Sequence, residues 1–404
     1  MSAETIEAED ARRLRGEALA SALLASRADT LATFAAYERA LPSLTVPQRE
    51  ELNPPLWELG HVGWFQEYWI ARNPQRALGP AADPEAPRPE GVRTGADLLY
   101  HSGRVAHASR WSLPLPDARA TRADLARQLD TTLALLAATA DDGDAAWYFF
   151  RLALFHEDMH HEAALYMAQV LDVPIDDPRW QPRPLAGART ALSFDAGRWP
   201  LGRRGDGFAF DNELRAHEVA MGAYEIDARV VCWSEYLPFV EAGGYAQPHL
   251  WCDDGRAWLA RTGARAPRYL RRDRGRWQRR SHGRWVDLDE SLPAGHLTWY
   301  EARAWCAWAG RRLPTEAQWE RAAVEAPASF RWGDVWEWTA SAFAPYPGFA
   351  PHPYRDYSAP WFDGRPVLRG ASFATQPRLR HPRYRNFFCA HRNDVFAGFR
   401  SCAP

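Results

Sequence analysis

The segment Phe155-His156-Glu157-Asp158-Met159-His160-His161-Glu162 lies within a stretch that is rich in alanine, leucine and aromatic residues. This composition predicts a helix, and residues four apart lie on the same face of a helix. His156 and His160 are therefore predicted to present two imidazoles to one metal ion. The segment also matches H-E-x-x-H, the signature of zinc peptidases. The identity of the metal decides the function.

The segment belongs to the last of four long helices predicted between about residues 12 and 173. Alanine and leucine recur there at helical spacing. Four helices of this length form a bundle, and bundles build metal sites from side chains on facing helices. The predicted helices span residues 17–41, 54–72, 121–140 and 145–171. Residues 73–116, rich in Pro, Gly and Arg, are predicted to form a long crossover or a lid.

A cluster of four prolines between residues 173 and 190 marks the predicted domain boundary. After it, short strand-like stretches alternate with Gly, Pro, Trp and Arg, and isolated helices are predicted at 233–241 and 298–309. A chain of 404 residues exceeds the size at which a single core stops growing. The sequence predicts an α+β protein of two domains. Residues 1–178 form a helical bundle with the metal ligands, and residues 179–404 contribute the substrate pocket.

Charge and hydropathy exclude several classes of partner. The chain has 49 Lys and Arg against 51 Asp and Glu, so we expect neither nucleic acid nor a membrane as partner, and small-molecule substrates fit better. No apolar run reaches the roughly 18 residues of a membrane span, and the first residues are acidic rather than basic and apolar. The protein is predicted to be cytoplasmic. Five cysteines without C-x-x-C spacing argue against a disulfide framework and a cysteine zinc site.

A third metal ligand is predicted at His61, which lies among glycine and apolar residues on the second helix. Three neutral imidazoles on one face of Fe(II) leave positions open for O₂ and a substrate. His161 points about 100° away from His160 around the helix and is predicted to lie behind the site or at the surface. Glu157 and Glu162 are predicted to orient imidazoles or to solvate a helix face.

An H-E-x-x-H zinc hydrolase is an alternative interpretation of the same helix. It would use Glu157 as general base and needs a further ligand shortly downstream. The residues after Leu171 are Asp-Val-Pro, followed by the predicted boundary. This sequence supplies no such ligand.

Motifs in the second half resemble the formylglycine-generating-enzyme fold. They are residues 297–320 (LTWYEARAWCAWAGRRLPTEAQWE), 335–339 (VWEWT), 367–373 (VLRGASF) and 398–400 (GFR). Those enzymes carry a copper-binding cysteine pair after the corresponding R-G-G-S segment, whereas residues 374–380 contain no cysteine. The formylglycine-generating activity itself is therefore not predicted.

A DinB-like four-helix bundle followed by such a domain is similar to the EgtB-like ergothioneine sulfoxide synthases. The resemblance implies an Fe(2+) enzyme that uses O₂ to join a thiol to the imidazole of hercynine (trimethylhistidine). The H-x-x-x-H pair of that family maps to His156 and His160, and the ligand of the earlier helix maps to His61. No catalytic residue beyond these ligands is assigned. A binding scaffold that has lost its catalytic groups is the non-enzyme alternative.

The substrate residues depart from the family pattern. A Gln often precedes the second helix histidine in the family, and Met159 stands here. Members that use γ-glutamylcysteine have Asn-Trp-Asp and then an Arg, where this chain has Asn386-Phe387-Phe388 and then Arg392. Phe388 thus replaces the acid that would pair with the glutamyl ammonium.

The active-site tyrosine of the family follows its W-E-W-T segment. Its equivalent here is Phe343, or alternatively Tyr346. The proton donor for the oxygen chemistry is therefore predicted to be Tyr346 or absent.

These departures resemble the SenA-like selenoneine synthase branch, which couples hercynine to a selenosugar. The resemblance predicts carbon–selenium bond formation, with an ergothioneine-type reaction on cysteine or another thiol as the alternative. An aromatic face attracts the trimethylammonium group of hercynine. The predicted substrate-binding residues are Met159, Asn386, Phe387, Arg392 and Asp394.

Overall fold

The computed structural model describes residues 8–141 and 143–404. Long helices come first and short helices and strands follow, which confirms the α+β class. The α-helices are α1 (Ala8–Ala11), α2 (Gly16–Ala40), α3 (Pro55–Trp69), α4 (Ala96–Tyr100), α5 (Ala118–Ala137), α6 (Tyr148–Leu171), α7 (Trp233–Glu241), α8 (Asp253–Thr262), α9 (Trp299–Trp308) and α10 (Glu316–Glu325). The strands are β1 (Ala191–Phe194), β2 (Gly197–Leu201), β3 (His217–Met221), β4 (Tyr224–Asp227), β5 (Leu270–Asp273), β6 (Arg276–Ser281), β7 (Arg284–Asp287), β8 (Trp336–Ala342), β9 (Pro366–Gly370), β10 (Asn386–Phe387) and β11 (Ala397–Gly398).

Helices α2, α3, α5 and α6 form the bundle, in which α2 packs on α6 and α3 packs on both α5 and α6. Local chemistry sets their ends. Asp117 caps α5 by accepting a hydrogen bond from the backbone N–H of Ala120 at 2.7 Å. Asp172 ends α6 in the left-handed region, with φ of 60°. The first turn predicted for the last helix is a separate 3₁₀ turn, Asp144–Trp147.

The stretch between α3 and α5 is a crossover packed on α3. Asp97 of α4 accepts hydrogen bonds from the Trp64 indole and from Arg72, each at 2.7 Å. The backbone carbonyl of Leu99 accepts from the Trp57 indole at 2.8 Å. These bonds tie α4 to the helix that carries His61. The structure therefore supports the crossover alternative rather than a lid.

The C-terminal region is built around a mixed four-stranded sheet with the order β10–β9–β8–β11. β8 and β9 are antiparallel, with Trp336 opposite Gly370, and β11 runs parallel to β8. Glu337 of β8 is buried, and its carboxylate accepts hydrogen bonds from the Arg400 guanidinium and from the Trp319 indole, each at 2.8 Å. Arg400 is thus a structural residue. Helices α9 and α10 each begin with a capping box, Thr298 with Glu301 and Thr315 with Gln318.

Helix α6 also packs against a C-terminal loop, residues 372–378. The buried Asp158 carboxylate pairs with Arg378 at 2.6 Å. Glu162 accepts hydrogen bonds from Thr375 at 2.7 Å and from the Trp336 indole at 2.8 Å. One face of α6 therefore joins the bundle to the C-terminal region. Among the described helices, none has the length and apolar character needed to cross a bilayer.

Candidate metal centre

Three histidines converge between α3 and α6. His61 comes from α3, and His156 and His160 stand one turn apart on α6. One ring nitrogen of each lies within 4.8 Å of the others. The ring centroids are 5.1 Å apart for His61 and His156, and 4.4 Å apart for His156 and His160. The structure thus brings together the three residues that the sequence predicts as ligands.

His61 is held by its second nitrogen. Its buried Nδ1–H donates to the backbone carbonyl of Tyr100 at 2.8 Å, and its ring stacks on Trp57 with centroids 4.6 Å apart. This bond fixes the tautomer and leaves the Nε2 lone pair free. Burial lowers the pKa of His61 to about 3, so the imidazole is neutral at ordinary pH. A neutral, oriented imidazole is the form that binds a metal.

His156 tests whether the site fits a metal ion. It is buried, and its ring stacks flat on Phe65 with centroids 3.5 Å apart. Neither ring nitrogen has a hydrogen-bond partner among the described residues. Burial lowers the pKa of His156 well below its usual value. Buried imidazole nitrogens normally have a partner, and a metal held jointly with His61 and His160 would satisfy one of them.

A carboxylate orients His160. The Nδ1–H of His160 donates to Glu58 at 2.6 Å, and the other Glu58 oxygen accepts from the Asn53 amide at 2.6 Å. Burial by itself raises the pKa of Glu58, but the neighbouring His160 outweighs it and the net pKa is lowered. Carboxylate–histidine pairs of this kind are typical of metal sites.

Glu58 was not predicted from the sequence. Its position in the sequence could have indicated it, because Glu58 lies three residues before His61 and so shares a face of α3 with it. The resulting set of three nitrogens with one hydrogen-bonded carboxylate fits Fe(II) and also Zn(II).

A cavity of about 250 Å³ opens beside the histidines. The bundle contributes His156, Met159 and His160 to its wall, and the C-terminal region contributes Asn386 and Phe387. The remaining lining residues are mostly aromatic or apolar: Glu162, Ala163, Tyr166, Trp336, Tyr354, Tyr357, Leu379, Tyr384, Phe388, Val395 and Phe396. Three of the five predicted substrate residues therefore line the same cavity as two of the three predicted metal ligands.

The other two predicted substrate residues lie behind the wall. Arg392 and Asp394 form a two-bond ion pair, with nitrogen–oxygen distances of 2.6 and 2.5 Å. The Arg392 guanidinium lies 5.2 Å from the Phe388 ring centroid. Neither residue is among those that line the cavity. The predicted direct contact with substrate is not supported, because each side chain is taken up by the other.

The two positions considered for the tyrosine of the family also lie outside the cavity wall. Tyr346 donates to Glu316 at 3.3 Å and packs away from the cavity, and Phe343 supports Phe387 from behind, with ring centroids 4.1 Å apart. Neither residue lines the cavity. Both residues follow the end of β8 at Ala342, so the direction of their side chains depends on the loop rather than on the alternation of a strand.

Besides Tyr166, three further tyrosines that the sequence analysis did not single out line the cavity. The Tyr384 hydroxyl donates to the Met159 sulfur at 3.1 Å and lies 2.8 Å from the Tyr357 hydroxyl, which places Tyr357 as the donor in that pair. Tyr354 packs edge-on against Phe65 with centroids 4.8 Å apart. Burial raises the pKa of all three phenols, so they remain protonated. No local motif distinguishes these residues from other tyrosines of the chain.

The other polar residues of the segment have structural roles. Both Glu157 oxygens accept from the buried Arg27, at 2.7 and 3.1 Å, so the general-base role required by a zinc hydrolase is not supported. Glu157 therefore neither orients an imidazole nor solvates a face. His161 is buried, with its Nε2 2.9 Å from Thr33, rather than at the surface. Glu162 accepts a hydrogen bond from Thr375 of the C-terminal loop.

The chain is similar to several known proteins. Residues 180–334 match the family model of the sulfatase-modifying factor enzyme 1-like domain. A solved structure, Treponema denticola variable protein 1, aligns over 55% of this chain and 98% of its own, with 16% identity and a TM-score of 0.32.

Curated relatives extend the match over both regions. The chain is 31% identical to a hercynine oxygenase of Mycobacterium tuberculosis and to one of Mycolicibacterium smegmatis. In each case the alignment covers 86% of this chain and 90% of the relative. A third hercynine oxygenase, from Mycolicibacterium thermoresistibile, is 31% identical over 86% of this chain and 87% of its own length. The chain belongs to the hercynine oxygenase family.

Proposed function

We propose that this protein is a non-haem Fe(II) enzyme that uses O₂ to form a carbon–selenium bond between hercynine and a selenosugar, in selenoneine biosynthesis. One observation carries the proposal. Three histidines, His61, His156 and His160, converge beside a cavity whose lining residues are mainly aromatic or apolar and, among the described residues, include no Arg or Lys. Family membership supports hercynine as the shared substrate.

The metal would be held by His61, His156 and His160, and Tyr100 and Glu58 would fix two of the rings. When bound, Fe(II) supplies the coordination positions and the redox chemistry for O₂. The protein supplies orientation and exclusion of water. Both Phe65, stacked on His156, and Trp57, stacked on His61, cover the buried side of the site.

Hercynine is expected to bind between the metal-side histidines and the C-terminal wall. The side-chain oxygen Oδ1 of Asn386 accepts a hydrogen bond from the backbone N–H of Phe387 at 2.8 Å. The side-chain nitrogen Nδ2 of Asn386 is thereby left to donate to a ligand. The faces of Phe387, Tyr354 and Tyr357 suit a trimethylammonium group by cation–π attraction. The substrate imidazole would thereby be directed toward the metal ligands.

The charges around the cavity favour an uncharged substrate as the donor of selenium or sulfur. A γ-glutamylcysteine donor brings two carboxylates and an ammonium group, and each of them needs a partner once it leaves water. Arg392, the family residue for that donor, is already paired with Asp394. Phe388 stands where the acid is expected. A selenosugar brings hydroxyl groups instead, which the hydroxyls of Tyr357 and Tyr384 and the surrounding aromatic faces can bind.

The paired tyrosines can also hold a proton beside the reacting groups. Because Tyr357 donates to Tyr384 and Tyr384 donates to Met159, the Tyr357 hydroxyl can turn toward a substrate while Tyr384 stays bonded to Met159. Burial raises the pKa of both phenols and keeps the proton on oxygen. They are the proton donors that we propose in place of Tyr346.

An ergothioneine-type reaction with cysteine or another thiol is the second candidate, and the hercynine oxygenase relatives favour it. A donor assay separates the two. Iron-loaded protein is given hercynine and O₂ with a selenosugar, a thiosugar, cysteine or γ-glutamylcysteine in turn, and products are identified by mass spectrometry. We expect the highest kcat/KM with the selenosugar. Comparable turnover with γ-glutamylcysteine would reject the selenoneine assignment.

A further inference from the structure

A second cavity, of about 70 Å³, lies between α6 and the sheet β5–β6–β7. We call it the rear cavity and define it by Tyr269, Arg279, His282, His296 and Phe396, which line it. Phe396 also lines the cavity beside the histidines, so the two spaces share this residue. The rear cavity contains none of the residues assigned to metal or substrate above.

Buried polar atoms without a protein partner line the rear cavity. Tyr269 is 9% exposed, and its hydroxyl has no hydrogen-bond partner within the described ranges 8–141 and 143–404. The same is true of Nδ1 of His282 and Nδ1 of His296. Such groups are costly to bury and are normally satisfied. All three belong to residues that line this one small space.

The cavity also has one unneutralised cation. Two of its arginines are paired, Arg268 with Glu51 at 3.3 Å and Arg280 with Asp172. The half-buried Arg279 makes no ion pair and no side-chain hydrogen bond with any residue that the structure describes. Burial lowers its pKa, although a guanidinium stays charged at any ordinary pH. The Asp289 carboxylate acts on Arg279 through its charge without forming an ion pair with it.

The backbone at these positions is strained. Tyr269, His282 and His296 have φ of 68°, 44° and 57°, in the left-handed region that non-glycine residues rarely adopt. Strain of this kind persists where the surrounding structure requires a particular side-chain direction, often at binding sites. For His282 the reason is local, because it is the first central residue of the two-residue turn between β6 and β7, where a positive φ is required.

We propose that the rear cavity is a second binding site, for a small oxyanion such as a phosphate or a carboxylate group. Arg279 would supply the charge and Tyr269 a hydroxyl donor. The two imidazoles would donate or accept according to tautomer. The space is adequate, because a single water needs about 10–15 Å³ by this measure. Occupancy would press on Phe396 and thereby reach the cavity beside the histidines.

Isothermal titration of the full-length protein with inorganic phosphate, and separately with acetate, tests the proposal. We expect saturable binding of at least one anion with one site per chain. Tyr269→Phe removes a single oxygen and keeps the ring packed on His296, and it should weaken that binding about fivefold or more. Arg279→Gln should weaken it further. Arg284→Gln, on the neighbouring strand and with a 72% exposed side chain, is the matched control and should bind as the parent does.

The outcomes are distinct. Binding of phosphate alone or of acetate alone identifies the group, and binding of both supports a general oxyanion site. Absence of saturable binding by either anion, or equal affinity in Tyr269→Phe, Arg279→Gln and the parent, would overturn the proposal. An anion that bound at the metal centre instead would bind the parent and all variants with equal affinity, which would also overturn the proposal. The measurement needs no turnover, so it stands apart from the proposed reaction.

Discussion

The bundle and the C-terminal region contribute to the same cavity in different ways. The bundle places its groups on regular helices, where His156 and His160 face one way because they are four residues apart. The C-terminal region presents Tyr354, Tyr357 and Tyr384 from loops and short turns. Spacing therefore specifies the metal-side half, whereas tertiary structure specifies the substrate-side half. A variant in one half should change metal binding, and a variant in the other should change substrate use.

The largest effect should follow from His160→Ala. Removing one of three nitrogens leaves a pair that cannot hold a metal on one face, so bound iron and O₂ consumption with hercynine should both fall to background. Elemental analysis gives iron per chain, and an oxygen electrode gives turnover. His161→Gln is the control, because it changes an adjacent buried histidine that contacts Thr33 instead. Retention of iron and turnover in His160→Ala would refute the ligand assignment.

The same contrast explains what could be predicted from the sequence. The α+β class, the bundle helices and the convergence of His61 with the helix pair all follow from periodicity or motif, because a helix converts spacing into direction. Glu58 follows the same rule and was overlooked. Arg392 and Asp394 were assigned to substrate by motif position, yet their mutual ion pair directs them away from the cavity. Phe343 and Tyr346 follow the end of β8, in a loop whose course is not predicted by spacing.

Next in size is the effect of Arg27→Met on stability. Arg27 and Glu157 form a buried pair, with 4% and 2% of their side chains exposed. Losing the cation leaves an uncompensated buried carboxylate, so the free energy of unfolding should fall by about 3–5 kcal/mol. Urea denaturation monitored by circular dichroism measures it. The double variant Arg27→Met/Glu157→Leu should recover much of the loss.

That double variant also tests the role of Glu157. Because the pair is structural and lies away from the cavity, folded Arg27→Met/Glu157→Leu should retain iron and turnover. Complete loss of turnover with normal iron content would instead restore Glu157 as a chemical residue.

A smaller effect is expected from Glu58→Gln. The amide can still accept from His160, but it no longer increases the basicity of that imidazole, so metal affinity should fall by about 10–100-fold. Competition with a chelator measures the affinity. Glu67→Gln is the matched control, since Glu67 is a buried glutamate of the same helix that contacts Val92 and Gln128. Equal affinities in the two variants would mean that the Glu58 carboxylate does not act on the metal.

Tyr384→Phe should have the smallest effect on activity. It is the most direct test of whether the substrate-side half can change without the metal-side half. It removes a hydroxyl that donates to Met159 and accepts from Tyr357. The net contribution of such a hydrogen bond is about 0.5–1.5 kcal/mol, so kcat/KM should fall a few-fold. Iron content should be unchanged, because the phenol touches no ligand nitrogen. If the pair also delivers a proton, kcat should fall more than KM rises, and oxidised by-products should increase. A loss of iron in Tyr384→Phe would show that the two halves are not separable, since a C-terminal side chain would then be maintaining the metal site.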